Sequence, residues 1–217
     1  MNKVNYDLQF QNIVNGFDGK KRLLLHACCA PCSSSVLERV TPFFDVTLYF
    51  YNPNITEKSE YEKRLEELKR FSSKVYGEGV KVVDAGFYPQ VFFELSKGLE
   101  KSPERGARCV KCYYERLLRS AEYAKDNDYD YFCTTLTLSP LKDAAQINLL
   151  GATVADKVGV EFLPSDFKKR NGYLRSLELS REYGLYRQNY CGCPYSMNNA
   201  DELRFSTKKT LRPFIFV

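Results

Sequence analysis

Five short apolar runs, separated by helical patterns, constrain the fold of this chain more than any other feature of its sequence. The first run, from Arg22 to Ala27, is almost continuously apolar, which is typical of a strand buried on both faces of a parallel sheet. The second run, from Asp45 to Tyr51, is rich in β-branched and aromatic residues, which favour strands. Further strands are predicted over 80–85, 129–135 and 160–163.

Amphipathic patterns predict helices between these strands. A long charged helix is predicted from an N-cap at Thr56 to about Tyr76, where glycines end it. Two more helices are predicted over 109–125 and 143–157. Strands that alternate with helices predict an α/β fold, Rossmann-like, in which helices flank a mostly parallel sheet. In such a sheet, ligands bind outside the carboxyl ends of the strands.

The length of the chain predicts one folding unit. Its 217 residues suit a single α/β domain that buries a sufficient core without disulfides. We expect the core of this domain over 21–165, and a helical and loop extension over 166–217 that closes the site. The last stretch, 211–217, is apolar, and we expect it to dock on the core or on a partner.

Eight cysteines are the most informative part of the composition. We find neither a secretory signal nor an apolar run of membrane-spanning length, which predicts a cytoplasmic protein without a membrane partner. The cytoplasm keeps thiols reduced, so clustered cysteines there bind metals or do redox chemistry more often than they form structural disulfides. The single histidine, His26, excludes a site built from several histidines.

Two groups of cysteines together predict a four-thiolate site. Cys28, Cys29 and Cys32 directly follow the first predicted strand, and a proline between them suits the first turn of a helix. Cys109 and Cys112 open a later predicted helix, whose dipole favours thiolates. Such a set of thiolates suits an iron–sulfur cluster or a structural zinc ion, and a role for the thiols alone also stays open.

The remaining cysteines differ in their surroundings. Cys191 and Cys193 enclose one glycine, so a disulfide between them would close a small, strained and easily reduced ring. This pattern predicts a redox-active pair or two ligands of a second metal, against a purely structural role. Cys32 is a spare ligand, a second-metal ligand or a packed helix residue. Cys133 lies in an apolar strand pattern and is predicted to be a small buried residue.

Three separated motifs give the chain a specific resemblance. They are HACCAPC at 26–32, CVKCY at 109–113 and CGCPYS at 191–196, and the segments 51–55 and 134–140 agree with them. In this order they closely resemble the QueH-type epoxyqueuosine reductases. Such enzymes act on tRNA and, without cobalamin, remove the epoxide oxygen of epoxyqueuosine at the wobble position.

The resemblance implies a role for each cysteine group. Cys28, Cys29, Cys109 and Cys112 would hold a [4Fe–4S] cluster. Cys191 and Cys193 would form the redox-active pair, and with Cys32 they are the ligands implied for an additional iron ion. The implied fold is the nucleotide-binding type of PP-loop and HUP proteins. The loop after the first strand lacks the Ser-Gly-Gly run that cradles ATP phosphates, so we predict no use of ATP.

The substrate and the electron source would be two different partners. A net charge of +5 allows binding of tRNA, and the basic stretch 168–170 with Tyr173 and Arg175 is the predicted contact patch, beside Arg105 and Arg108. The electron donor is unidentified. His26, Asp143 and Tyr195 are the residues considered as proton donors.

Two other functions compete with the reductase. One is a zinc-stabilised RNA-binding module without catalysis. The other is a cluster-dependent tRNA sulfur transferase, which would require ATP.

Overall fold

A five-stranded parallel sheet forms the centre of the computed structural model, which describes residues 4–196. Its strands are β1 (Lys21–His26), β2 (Phe44–Phe50), β3 (Lys81–Asp84), β4 (Tyr131–Thr134) and β5 (Glu161–Phe162). Their order across the sheet is β3-β2-β1-β4-β5, and every neighbouring pair is parallel. The five predicted strands and the Rossmann-like α/β class are confirmed.

Helices connect the strands and cover both faces of the sheet. In the described part of the chain they are α1 (Tyr6–Asn15), α2 (Ala30–Val40), α3 (Lys58–Tyr76), α4 (Pro89–Ser96), α5 (Ala107–Asp126), α6 (Ala144–Val158) and α7 (Gly172–Glu182). None of them combines the length and the apolar composition that a membrane-spanning helix requires. The predicted docking of residues 211–217 falls outside the described residues.

Successive side chains of β1 point to opposite faces of the sheet, and this explains why helices must cover both faces. Leu23 and Leu25 pack into one apolar cluster with β2, α2 and α3, whereas Leu24 packs into another with α5 and α6. All three leucines are fully buried, and each contributes about 1.5–3 kcal/mol of hydrophobic stabilisation. Cys133 is buried beside them, and its Sγ donates to the Leu163 carbonyl at 3.2 Å, so its predicted packing role is confirmed.

The predicted N-cap of α3 at Thr56 is wrong. The helix begins at Lys58, and Glu57 is its N-cap without a side-chain capping bond. The Thr56 amide instead donates to the Gly192 carbonyl, with 3.4 Å between nitrogen and oxygen. This contact joins the residue before the N-cap to the loop that carries Cys191 and Cys193.

The strand order places a crevice at the carboxyl ends of β1 and β4. The chain runs from β1 to β2 on one side, while β4 and β5 extend the sheet on the other. Helices that leave neighbouring strands in opposite directions open a gap between their first turns, and ligands bind there in sheets of this type. The first cysteine group follows β1 at this point, and Thr135 follows β4.

Candidate metal and redox site

Three sulfur atoms meet directly after β1. Cys29 has an extended backbone and is the N-cap of α2, so that its Sγ accepts a hydrogen bond from the Cys32 amide at 3.3 Å. The Sγ atoms of Cys28 and Cys29 are 3.8 Å apart, and all three sulfurs, including that of Cys32, lie within 4.8 Å of one another. The turn from strand to helix therefore brings together side chains that would point to opposite faces within a strand.

The three thiols shift one another's pKa values in opposite directions. Hydrogen bonds from Cys29 and Cys32 hold the pKa of the Cys28 thiol well below its usual value. Burial raises the pKa of Cys29 to about 12, and the hydrogen bond with Cys28 holds the pKa of Cys32 well above its usual value. Of the three thiols, Cys28 is therefore the one whose pKa these contacts lower.

Cys109 and Cys112 lie in the first turns of α5, as the sequence predicts. Cys112 is buried and Cys109 is half-buried. Burial raises the pKa of Cys112 to about 12 and also raises the pKa of Cys109, so desolvation outweighs the favourable helix dipole. A positive ion bound here would reverse this balance, because it favours deprotonated thiol ligands.

Cys191 and Cys193 lie on a loop that the rest of the protein holds firmly. Their Sγ atoms are 3.4 Å apart, and Gly192 between them has φ +107°. Asn54 Nδ2 donates to the Cys191 carbonyl at 2.8 Å, and Ser196 Oγ lies 3.1 Å from Cys191 Sγ. The hydrogen bond with Cys193 lowers the pKa of Cys191 well below its usual value, and the same hydrogen bond raises the pKa of Cys193.

All three cysteine groups converge on one cavity of about 320 Å³. It is lined by Cys28, Cys32, Cys109, Cys112, Cys191 and Cys193, and the Cys29 sulfur lies beside that of Cys28. Among the residues that the structure describes, five cations also line the cavity, namely Arg64, Arg108, Arg116, Lys142 and Arg187, against one acid, Glu104. The cavity therefore combines soft donor atoms with a positive potential, which suits an anionic metal–thiolate centre.

The residues considered as proton donors have other roles. His26 is fully buried, and its ring nitrogens are bonded to Thr134 Oγ1 at 2.8 Å and Arg116 Nε at 3.2 Å. Burial, followed by the charge of Arg116, lowers the pKa of His26 to about 3, so the ring is neutral. Asp143 caps α6 by accepting from the Ala145 amide at 2.8 Å.

The predicted tRNA patch is largely occupied by internal ion pairs. Arg170 pairs with Asp7 at 3.0 Å, Arg175 pairs with Glu38 at 2.7 Å, and Lys168 pairs with Asp166. Arg108 is buried and donates to the carbonyls of Leu99 and Glu100. Its guanidinium also stacks over Tyr195, with Cζ 4.2 Å from the ring centroid. Of the predicted patch, Tyr173 lines the cavity.

Apart from Arg108, sequence reasoning missed the described cations that line the cysteine cavity. Arg116 follows Cys112 by four residues on α5, and this spacing places both on one face of the helix. That signal was present in the sequence. Arg64, Lys142 and Arg187 reach the cavity from separate elements, and no local pattern marks them.

Comparison with known proteins gives a family match that spans all three cysteine groups. The family described as epoxyqueuosine reductase QueH matches residues 23–199. A protein of that name from Staphylococcus epidermidis is 43% identical over 89% of this chain and 85% of its own length. Relatives of the same name from Streptococcus pyogenes serotype M1 and Thermotoga maritima are 39% and 38% identical, over 98% and 81% of this chain and 86% and 90% of their own lengths. The chain belongs to the epoxyqueuosine reductase QueH family.

Proposed function

We propose that this protein reduces epoxyqueuosine to queuosine in tRNA, without cobalamin, by using a thiolate-bound iron–sulfur cluster and a redox-active cysteine pair. The observation that carries the proposal is the convergence of three cysteine groups, distant in sequence, on one cavity at the carboxyl ends of β1 and β4. Membership of the reductase family agrees with this chemistry.

Cys28, Cys29, Cys109 and Cys112 are the proposed ligands of a [4Fe–4S] cluster. The donor set fits, because all four groups are thiols, bound clusters prefer thiolate ligands, and the cavity is rich in cations. When bound, such a cluster supplies electrons one at a time. An additional iron ion would take its ligands from Cys32, Cys191 and Cys193.

Cys191 and Cys193 are proposed to deliver the electrons that the reaction consumes. Conversion of an epoxide to an alkene takes up two electrons and two protons and releases the oxygen as water. Oxidation of two thiols to a disulfide releases two electrons and two protons, so the two half-reactions balance. The 3.4 Å between the two sulfurs supports this role, and an unidentified donor of two electrons would restore the thiols.

The mouth of the cavity is proposed to bind the anticodon loop. Lys142 and Arg187 line it together with Tyr173 and Tyr190. Among residues 4–196, none of the ion pairs includes Lys142 or Arg187. In that range Arg187 donates only to the neutral Ser176 carbonyl and Ser180 Oγ, so neither charge is neutralised by a described carboxylate and both suit contacts with phosphates. Aromatic rings beside them suit stacking on unpaired bases. We propose that the segment after residue 166, which carries three of these residues, closes the site.

Mass spectrometry of the tRNA tests this function. Protein purified without oxygen is incubated with a reductant and with tRNA that carries epoxyqueuosine, and the modified nucleoside should lose the mass of one oxygen atom. Adding cobalamin should change nothing. Cys191→Ser should keep the visible absorption of the four-iron cluster but lose turnover.

Four outcomes would contradict the proposal. An unchanged nucleoside mass with iron-loaded protein would defeat the reductase function. A colourless protein with stoichiometric zinc would favour the RNA-binding module, and ATP-dependent sulfur incorporation would favour the sulfur transferase. Full turnover of Cys191→Ser would show that the cysteine pair is dispensable.

A further inference from the structure

Arg116 carries a buried positive charge that lies against the cysteine cavity. It is 2% exposed and lies on α5, one turn beyond Cys112, and it lines the cavity. Its guanidinium donates from Nε to His26 Nε2 at 3.2 Å and from a terminal nitrogen to Asn52 Oδ1 at 2.7 Å. Both partners are neutral.

The charge of Arg116 is not compensated by a carboxylate in the described part of the chain. No ion pair among residues 4–196 includes Arg116. The equally buried Arg64 differs, because Glu60 pairs with it at 2.7 Å. A guanidinium stays protonated in proteins, and an unpaired buried ion costs several kcal/mol. Within residues 4–196, the groups that line the cavity are therefore the source of a compensating negative charge.

The partners of Arg116 hold its position without reducing its charge. A guanidinium can only donate, so His26 Nε2 accepts and His26 Nδ1 donates to Thr134 Oγ1 at 2.8 Å. In this tautomer the Tyr51 carbonyl, 3.1 Å from Nε2, makes a contact and not a hydrogen bond. Asn52 is fixed in turn, because its Nδ2 donates to the Ala27 carbonyl at 2.9 Å.

The thiols are the groups that respond to this charge. The charge of Arg116 lowers the pKa of Cys112 against the larger opposing effect of burial, and it also lowers the pKa of Cys28. Arg116 lies one helical turn beyond Cys112, contacts His26 two residues before Cys28, and lines the cavity, so its guanidinium lies where two cysteine groups meet.

We propose that Arg116 is a positioning residue that serves as the fixed counter-charge of the anionic metal–thiolate centre held by these cysteines. This inference rests on the proposed function. Reduction of such a centre adds one negative charge, and a nearby buried cation stabilises that charge. Arg116 therefore makes the centre easier to reduce and secures it in the cavity.

The reduction potential of the iron-loaded protein tests this role with three variants. Arg116→Gln removes the charge, Arg116→Lys keeps it, and Asn52→Asp leaves the arginine in place but puts a carboxylate in contact with it. Potentials are measured by redox titration followed by electron paramagnetic resonance, and iron and sulfide are assayed for each variant.

Loss or neutralisation of the charge should make the centre harder to reduce. For Arg116→Gln we expect the equilibrium constant of one-electron reduction to fall at least tenfold. This corresponds to a shift of the reduction potential by about 59 mV to a more negative value. Asn52→Asp should shift the potential in the same direction, and Arg116→Lys should stay near the wild-type value. If both charge-altering variants lose iron while Arg116→Lys retains it, the counter-charge role is also supported.

Other results separate this inference from the proposed function. Wild-type potentials in iron-loaded Arg116→Gln and Asn52→Asp would overturn the inference alone, as would equal loss of iron in Arg116→Lys and Arg116→Gln. A wild-type protein that binds no iron would defeat the proposed function and this inference together.

Discussion

Replacing Gly192 with alanine should displace the loop that carries Cys191 and Cys193. Gly192 has φ +107°, and an added Cβ would lie 2.7 Å from Ile55 Cγ1 and 3.2 Å from Ile55 Cα. An unfavourable backbone conformation costs about 1–3 kcal/mol, and overpacking against a buried side chain costs about 1–3 kcal/mol more. The two costs together favour a shifted loop by about 2–6 kcal/mol.

The expected consequence is a loss of turnover that exceeds the loss of global stability. Movement of the loop relieves both costs, so the core should stay folded while the two thiols leave their positions. A displacement of about 1 Å at a reacting group lowers the rate about 100-fold. Single-turnover loss of oxygen from the tRNA, followed by mass spectrometry, measures the rate, and urea unfolding measures the stability.

Gly184→Ala is the matched control for this experiment. Gly184 also has positive φ, at +59°, but no atom lies within 4 Å of a Cβ added there. It should therefore lose only about 1–2 kcal/mol from the backbone and keep nearly wild-type turnover. Wild-type turnover in Gly192→Ala, or an equal loss of turnover in Gly184→Ala, would refute the reasoning.

Three further changes test the ligand set, the core and the buried histidine. Cys109→Ala should lower both iron content and turnover, and an unchanged cluster spectrum would remove Cys109 from the ligands. Gly151→Ala would place a Cβ 2.4 Å from Phe162 Cζ, so urea unfolding should show a loss of about 1–3 kcal/mol; an unchanged midpoint would contradict this packing. The pKa of His26 is about 3 in the folded protein against 6.5 in the unfolded chain, so its contribution to stability is complete above pH 6.5 and is lost as the pH falls towards 3. Metal-free protein should lose about 1.4 kcal/mol per pH unit in that window through this residue, and an acid-unfolding curve unaltered by His26→Gln would contradict this.

The sheet could be predicted because its strands are buried on both faces. A strand such as β1 needs apolar side chains at successive positions, and this requirement leaves a continuous run in the sequence. Helix ends were less predictable. The amide of Thr56 bonds to Gly192, more than 100 residues later, and local patterns cannot reveal such a contact.

The roles of the charged residues near the site also depend on contacts that the local sequence does not show. Arg170 and Arg175 form a basic patch in the sequence, but Asp7 and Glu38 from other elements pair with them. Histidine is a residue type that often takes part in acid–base catalysis, yet burial keeps His26 neutral. Charge and protonation depend on neighbours that only the fold supplies.

The sequence by itself determined the parallel α/β class, the strand that delivers the first cysteine group and the thiol chemistry of the site, because these depend on hydrophobic periodicity and residue type. Only the tertiary structure decided that all three cysteine groups share one cavity, and that Arg116 faces them without a carboxylate partner among the described residues. The physical reason is that burial and charge compensation are properties of atoms brought together from distant segments, and no single segment encodes them.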